Sequence, residues 1–524
     1  MRRLALALAL LALGPLPLAR ADDHSRLAGE VLDLLGDEEV EEARRLAEPL
    51  VGDLASDPAA QLAVGVLRLH EQQYAEAVSL LEEAEKRRPG LAGQWLDLAR
   101  KAREATRDYV RVEGDHFVVS TPKGKDEVLV PYVLETLEAQ RAALARDLGY
   151  APPGKVTVEV LEGTRALARL STLTEEEIKT SGTIAICKFN KLMLVSPKAL
   201  LRGYDWLDTA AHEFVHYVVA RRTRNNAPIW LHEGIAKWAE TLWRGRGGES
   251  LSPFSAALLR DAARKGKLIT FEQMHPSMAK LPSQEAAALA FAEVMAAVEY
   301  LVGRGGVPLL SRVLDLVRDG RSADEAVAAA LGVPYPAFLA DWRKYLAQRP
   351  LPEGGETELS LLRFKDDPRH GGTHSEWAEI PDEKARGFAR LGEIFRERGR
   401  WEAARREYGK AVQRAGARHA VLTGKYALAS MMAGRDADAE AALAEALRGH
   451  PGNAALNVHL GRLRVKQARW AEARVAFLRA NGTDPFDPEI HVGLSRASEA
   501  LGDAATASRE RRFALILSGH KETQ

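Results

Sequence analysis

The segment His212-Glu213-Phe214-Val215-His216 sets two imidazoles four residues apart, with a carboxylate directly after the first. On an α-helix that spacing turns both rings to the same side, where they can share one cation. Fourteen residues after His216 comes Trp230-Leu231-His232-Glu233-Gly234, whose carboxylate, seventeen residues after His216, can arrive from a second helix. A catalytic zinc site takes three protein ligands and keeps its fourth position for water, whereas a structural site fills all four with protein. His212, His216 and Glu233 are therefore the candidate ligands of one Zn2+ ion. Glu213, turned to the open side, is the candidate base that takes a proton from the activated water and returns it to a leaving amine. Glu240 lies two turns beyond Glu233 on the same face and is the candidate hydrogen-bond partner for the free nitrogen of a ligand histidine. The chemistry these residue types support is hydrolysis of peptide bonds.

These groups need two helices to carry them. Asp208 to Arg221 reads as the first, with Asp208 or Thr209 as its cap and Arg221, Arg222 and Arg224 as a solvated, dipole-compatible end. Pro228 opens the second, and Gly234 permits a close helix contact. Trp230, Leu231, Trp238 and Phe214 read as core, and His232 as packing or solvent. Cys187, the only cysteine, reads as a buried strand residue and excludes disulfides and multi-cysteine metal sites. His370 and His374 repeat the histidine spacing, but Gly371 and Gly372 between them argue for a surface loop. His275, before Pro276, reads as a turn residue.

Around the two helices the chain changes texture several times. Residues 116–120 and 155–160 are β-branched short runs expected to be strands, with a helix at 132–148 between them. Residues 183–186 and 191–195 read as a hairpin turning near Phe189-Asn190. Upstream, Gly65, Tyr74, Ala77, Leu81, Ala84 and Pro89 fit one tetratricopeptide repeat. Downstream, four units follow at a period of 34 to 35 residues, marked by Gly392/Ala404/Tyr408/Ala411, Ala427/Ala439/Leu443/Ala446, Gly461/Ala473/Phe477/Ala480 and Ala507/Ala514. The expected fold is mainly α, with an α+β zincin-like peptidase domain and tetratricopeptide solenoid segments on both sides. The expected boundaries are a signal peptide at 1–21, a helical repeat segment at 22–108, the peptidase domain at 109–349, a linker at 350–382 and repeats at 383–524.

Composition narrows the setting. Lys plus Arg and Asp plus Glu number 73 each, so no global field would recruit nucleic acid or acidic lipid. Arg2 and Arg3, an apolar run from Leu4 to Leu18 and Ala19-Arg20-Ala21 form a cleavable export signal, which leads to a periplasmic or secreted protein. No later segment reads as a membrane span. The expected partners are a protein or peptide substrate and proteins held in the repeat grooves.

The motif His212 to His216, followed by Trp230 to Gly234 and then Glu240, resembles the gluzincin metallopeptidases, especially their peptidase-MA-like branch. The resemblance covers about 110 to 349. It implies His212, His216 and Glu233 as ligands, Glu213 as base and Glu240 behind a ligand. It also implies an edge strand that pairs with substrate backbone, for which Lys191 to Ser196 is the candidate, and an oxyanion-stabilising Tyr or His, for which Tyr300 is the candidate. The Gly-x-Met-Glu-Asn motif of the zinc aminopeptidases has no counterpart; Ser181-Gly182-Thr183-Ile184-Ala185 is the nearest glycine-containing stretch. That favours an endopeptidase. The competing expectation is a catalytically degenerate scaffold that organises protein partners in the cell envelope.

Overall fold

The computed structural model describes residues 17–52, 54–245, 247, 251–275, 277–350, 362–367 and 380–519. The first sixteen residues of the expected export signal, the His370/His374 pair and most of the segment 350–382 lie outside these. The chain divides after Arg107 into two compact units.

The first unit is all helix: α1 (Pro17–Gly36), α2 (Val40–Val51), α3 (Pro58–His70), α4 (Tyr74–Arg87) and α5 (Gly93–Ala105). The repeat signature does its packing between α3 and α4. A Cβ on Gly65 would stand 2.8 Å from the Leu81 side chain, so only glycine admits that approach. Asp57 caps α3 through the Ala59 amide.

The second unit begins with a five-stranded sheet made of β1 (Tyr109–Glu113), β2 (Phe117–Pro122), β3 (Val156–Leu161), β4 (Ala185–Lys188) and β5 (Lys191–Val195), in spatial order β1-β2-β3-β5-β4. β3 is parallel to both neighbours, β2 and β5; the outer pairs β1–β2 and β4–β5 are antiparallel. The expected hairpin is present, and Phe189 and Asn190 take φ of 55° and 58° at its turn. Two consecutive positive φ values mark the tight turn whose twist suits adjoining strands. The expectation that Lys191 to Ser196 is an edge is corrected: β5 is hydrogen-bonded on both sides, and the edge is β4. The sequence of β5, KLMLV, is buried at every position, as an interior strand requires.

Helices α6 (Val130–Leu148), α7 (Thr164–Leu170), α8 (Glu175–Ser181), α9 (Trp206–Thr223), α10 (Ile229–Ala239), α11 (Pro253–Lys265), α12 (Gln284–Arg318), α13 (Ala323–Leu331) and α14 (Tyr335–Gln348) complete this part. α9 lies on the sheet, with Phe214 edge-on to Phe117 at 5.0 Å between ring centroids. α12 is the central helix, kinked at Gly305 and Gly306. Its mean hydropathy reaches 1.6 over an 18-residue window, so by length and composition it is apolar enough to cross a membrane, contrary to the sequence expectation. Here it packs against α9, α10, α11 and α13, and Gly234 of α10 meets it so closely that a Cβ would be 2.6 Å from Val294 O.

Four helical hairpins end the chain: α15 (Glu383–Glu397) with α16 (Trp401–Ala415), α17 (Ala420–Met432) with α18 (Asp436–Gly449), α19 (Ala454–Lys466) with α20 (Trp470–Asn481), and α21 (Pro488–Ala500) with α22 (Ala504–Ser518). Their cores are small against large. Ala439, Leu443 and Ala446 meet Ala427 and Leu456 in one layer, and Ala473, Phe477 and Ala480 meet Ile490 and Leu494 in the next.

Candidate active site

The first helix of the motif begins earlier than its sequence suggests, at Trp206, with Asp205 as N-cap. Asp208 does not cap it; its Oδ1 accepts from Trp243 Nε1 at 2.9 Å and Arg244 Nη2 at 2.6 Å. Of the arginines at the other end, Arg224 is exposed as expected, whereas Arg221 is buried and Arg222 half-buried. Arg221 is 7% exposed, lies over the Tyr217 ring and donates to Asn190 Oδ1 at 2.6 Å, which ties the helix end to the hairpin turn. Arg222 donates to Leu148 O. A desolvated guanidinium needs such acceptors, and the neighbouring loop carbonyls and amides supply them.

His212, His216 and Glu233 converge. The two Nε2 atoms are 3.0 Å apart, and Glu233 Oε2 lies 3.3 Å from the first and 3.2 Å from the second. Three donors about 2 Å from a tetrahedral centre would stand about 3.3 Å from one another, so the triangle has the size zinc needs. A Glu213 carboxylate oxygen falls within 4.8 Å of ligand-capable nitrogens of both histidines.

The outer nitrogens are held as well. His212 Nδ1 is 3.1 Å from Glu240 Oε2, and Glu240 Oε1 accepts from Lys237 Nζ at 2.5 Å. An ionised carboxylate only accepts, so Nδ1 of His212 carries a proton, and in the neutral ring a metal ion would require, Nε2 turns its lone pair to the triangle. His216 Nδ1 is 2.6 Å from His232 Nδ1, and the two rings stack at 4.7 Å. His232, expected to pack or face solvent, therefore stands behind His216. The helix spacing gave no sign of it, because the contact depends on how α9 and α10 cross.

The charges at the triangle call for a cation. Burial opposes a charged His212, yet hydrogen bonds with Glu233 and Glu240 lift it to about 10. Burial likewise opposes a charged Glu233, and the two histidines nevertheless hold its carboxyl well below the usual range. Burial drives His232 down to about 3, with the charge of His216 adding to the effect. A proton shared among these groups is the weaker answer to what one divalent ion would satisfy, so the residues fit zinc. Burial also pushes the Glu213 carboxyl up, offset in part by the His216 and His212 charges and by a hydrogen bond from the Cys187 amide.

That last contact places the edge strand. Val195 N–H donates to Ile184 O, so in the antiparallel ladder the amides and carbonyls of Ala185 and Cys187 point away from β5. Cys187 is half-buried at the edge rather than buried. Phe291 of α12 stands edge-on to His212 at 6.1 Å. Tyr300 is not brought to the site. It sits nine residues beyond Phe291, about 13 Å along the helix and on the opposite face, and its ring packs on Phe338 and Tyr345.

Comparison with known proteins agrees with this geometry. The Peptidase MA superfamily matches residues 138–348. Tetratricopeptide repeat families match residues 29–92, 389–454 and 430–497. No curated protein matches the chain. Among solved structures, an M1 zinc metallopeptidase mutant from Deinococcus radiodurans is similar at 17% identity and a TM-score of 0.29, over 47% of this chain and 53% of its own. Native yeast LTA4 hydrolase is similar at 11% identity and a TM-score of 0.32, over 77% of this chain and 67% of its own. The APC/C hetero-tetramer Cut9-Hcn1 is similar at 15% identity and a TM-score of 0.27, over 97% and 81%. Residues 138–348 thus form a Peptidase MA superfamily domain, flanked along the chain by tetratricopeptide repeats.

Proposed function

We propose that this protein is an exported zinc-dependent endopeptidase whose repeats bring protein substrates to the site. The observation that carries the proposal is the triangle of His212, His216 and Glu233 donor atoms, 3.0 to 3.3 Å on a side, with Glu213 beside it. Zinc held by these three side chains supplies an acidified water and a polarised carbonyl.

The chain's own residues do the rest. The Glu213 carboxylate takes the water's proton and hands it to the leaving nitrogen, and its upward shift by burial suits a group that must both accept and release. Glu240 and His232 fix the ring orientations of His212 and His216. An extended peptide can add alongside β4 through the outward groups of Ala185 and the carbonyl of Cys187, which sets its backbone beside Glu213. Export rests on the sequence alone, through Arg2, Arg3 and the Leu4–Leu18 run.

Purified full-length protein loaded with zinc is expected to cleave unfolded casein, and Glu213→Gln to lower kcat by about a thousandfold while zinc stays bound. Unchanged activity in Glu213→Gln would reject the mechanism. A second reading, a degenerate scaffold, draws on Tyr300 standing away from the site. It predicts a native protein without zinc whose partners are captured equally well by His212→Ala and His216→Ala.

A further inference from the structure

α20 stops at Asn481, and the carbonyls at a helix end need donors from elsewhere. Amides of the following turn satisfy Leu478 O and Ala480 O. The next three carbonyls are satisfied by the segment that leads into α9. The Trp206 indole Nε1–H donates to Asn481 O at 2.8 Å. The Trp206 amide donates to Gly482 O at 3.3 Å, and the Tyr204 amide to Thr483 O at 3.1 Å. Gly203 makes the approach feasible: its φ is +67°, and a Cβ there would fall 1.9 Å from Thr483 O.

A buried polar cluster reinforces the junction. Tyr132 of α6 donates to Glu510 Oε2 at 2.7 Å, and the same oxygen is 2.8 Å from His491 Nδ1. His491 Nε2 is 2.8 Å from Pro485 O. Glu510 and His491 are fully buried, and Tyr132 sets its ring against Trp206 and Phe513. Pulling the repeats away would expose this cluster and strand three helix-end carbonyls.

These bonds fall at an informative place. Trp206 is the first residue of α9, six residues ahead of His212, and Asp205 makes no side-chain cap bond to the helix. The start of the helix is therefore fixed from outside. Tyr204 extends the connection: its hydroxyl donates to Val195 O at the end of β5, and its phenol, pushed up first by burial, also feels the Glu213 charge.

We infer that the end of the third C-terminal repeat, residues 481–483, is a positioning element for the helix that carries His212, Glu213 and His216. By holding Tyr204 and Trp206, it sets where that helix begins and so where the ligand and base side chains stand. The C-terminal repeats are then part of the catalytic unit and not a separable recruitment arm. The zinc half of the test rests on the function proposed above; the positioning half does not.

The test uses the full chain with Trp206→Phe, which keeps an aromatic ring and removes the indole donor, and Tyr132→Phe, which removes one hydroxyl. Gly203→Ala is the severe variant. Hydrogen exchange of the α9 amides is measured without metal, and zinc affinity by chelator competition, with circular dichroism to certify folding. In each conservative variant, α9 exchange is expected to quicken and zinc affinity to fall, both by about fivefold or more. By linkage, zinc should slow exchange at the Tyr204 and Trp206 amides in the wild type. Folded variants in which those two amides exchange faster while α9 exchange and zinc affinity stay at wild-type values would overturn the inference. If the wild type takes up no zinc, the proposed function falls, and α9 exchange alone decides this inference.

Discussion

The two sides of the triangle formed by His212, His216 and Glu233 are supported by different chemistry. Behind His212 stands a carboxylate, Glu240, itself paired with Lys237; behind His216 stands a second imidazole, His232. The carboxylate can only accept, so it fixes the His212 tautomer and strengthens the ring as a donor to metal. Between two imidazoles either ring can hold the proton, and the buried His232 brings no charge, because burial keeps it neutral down to about pH 3. A charged pair anchors the first side, and a neutral hydrogen bond between stacked rings anchors the second.

If that contrast is right, Glu240→Ala should be the more damaging variant, lowering zinc affinity about a hundredfold because the half-buried Lys237 loses its partner as well. His232→Ala should cost about tenfold, read in the same chelator titration. Equal losses would break the distinction. His232→Asn should recover most of the affinity, since an amide can donate or accept toward His216 Nδ1 as required. An Asn variant no better than the Ala variant would show that stacking, and not the hydrogen bond, does the holding.

A third buried group sharpens the contrast because it touches neither side. Glu293 of α12 is fully buried, accepts from the Ile269 amide at 2.9 Å, and is pushed up to about 8 by burial. The folded chain therefore keeps a proton there between roughly pH 4.5 and 8 that the unfolded chain releases, and stability declines as pH rises through that window. Glu293→Gln keeps an oxygen for Ile269 and removes the titration. It should stabilise the protein at pH 8 by about 4 kcal/mol, with the gain vanishing near pH 4.5 and zinc affinity unchanged. Thermal midpoints across that range check it.

The sequence exposed what repeats locally and concealed what depends on how distant elements meet. Helical spacing alone pairs His212 with His216, and the repeat period alone locates the four final hairpins. The burial of β5 is written in KLMLV, yet the family resemblance asks for an edge there, and which strand holds the edge depends on the parallel pairing with β3. His232 adjoins Glu233, and on an ideal helix neighbours diverge by about 100°. Only the crossing of α9 and α10 turns it back onto His216. The resemblance asks for a Tyr or His, but the place of Tyr300 half a turn out of phase with Phe291 sends it into the α14 interface. The bond from Trp206 to Asn481 spans 275 residues, a separation no periodicity encodes.

An open strand edge is also a hazard, because it can template pairing between copies of a chain and lead to aggregation. β4 counters this by brevity: it has four residues, and the amide of Cys187 is already engaged by Glu213. What remains outward is too little to nucleate an intermolecular sheet, and in the proposed function it serves to align one short stretch of unfolded chain. On the function proposed above, the same economy would restrict substrates to chains that are already unravelled, since a folded protein keeps its own strands paired.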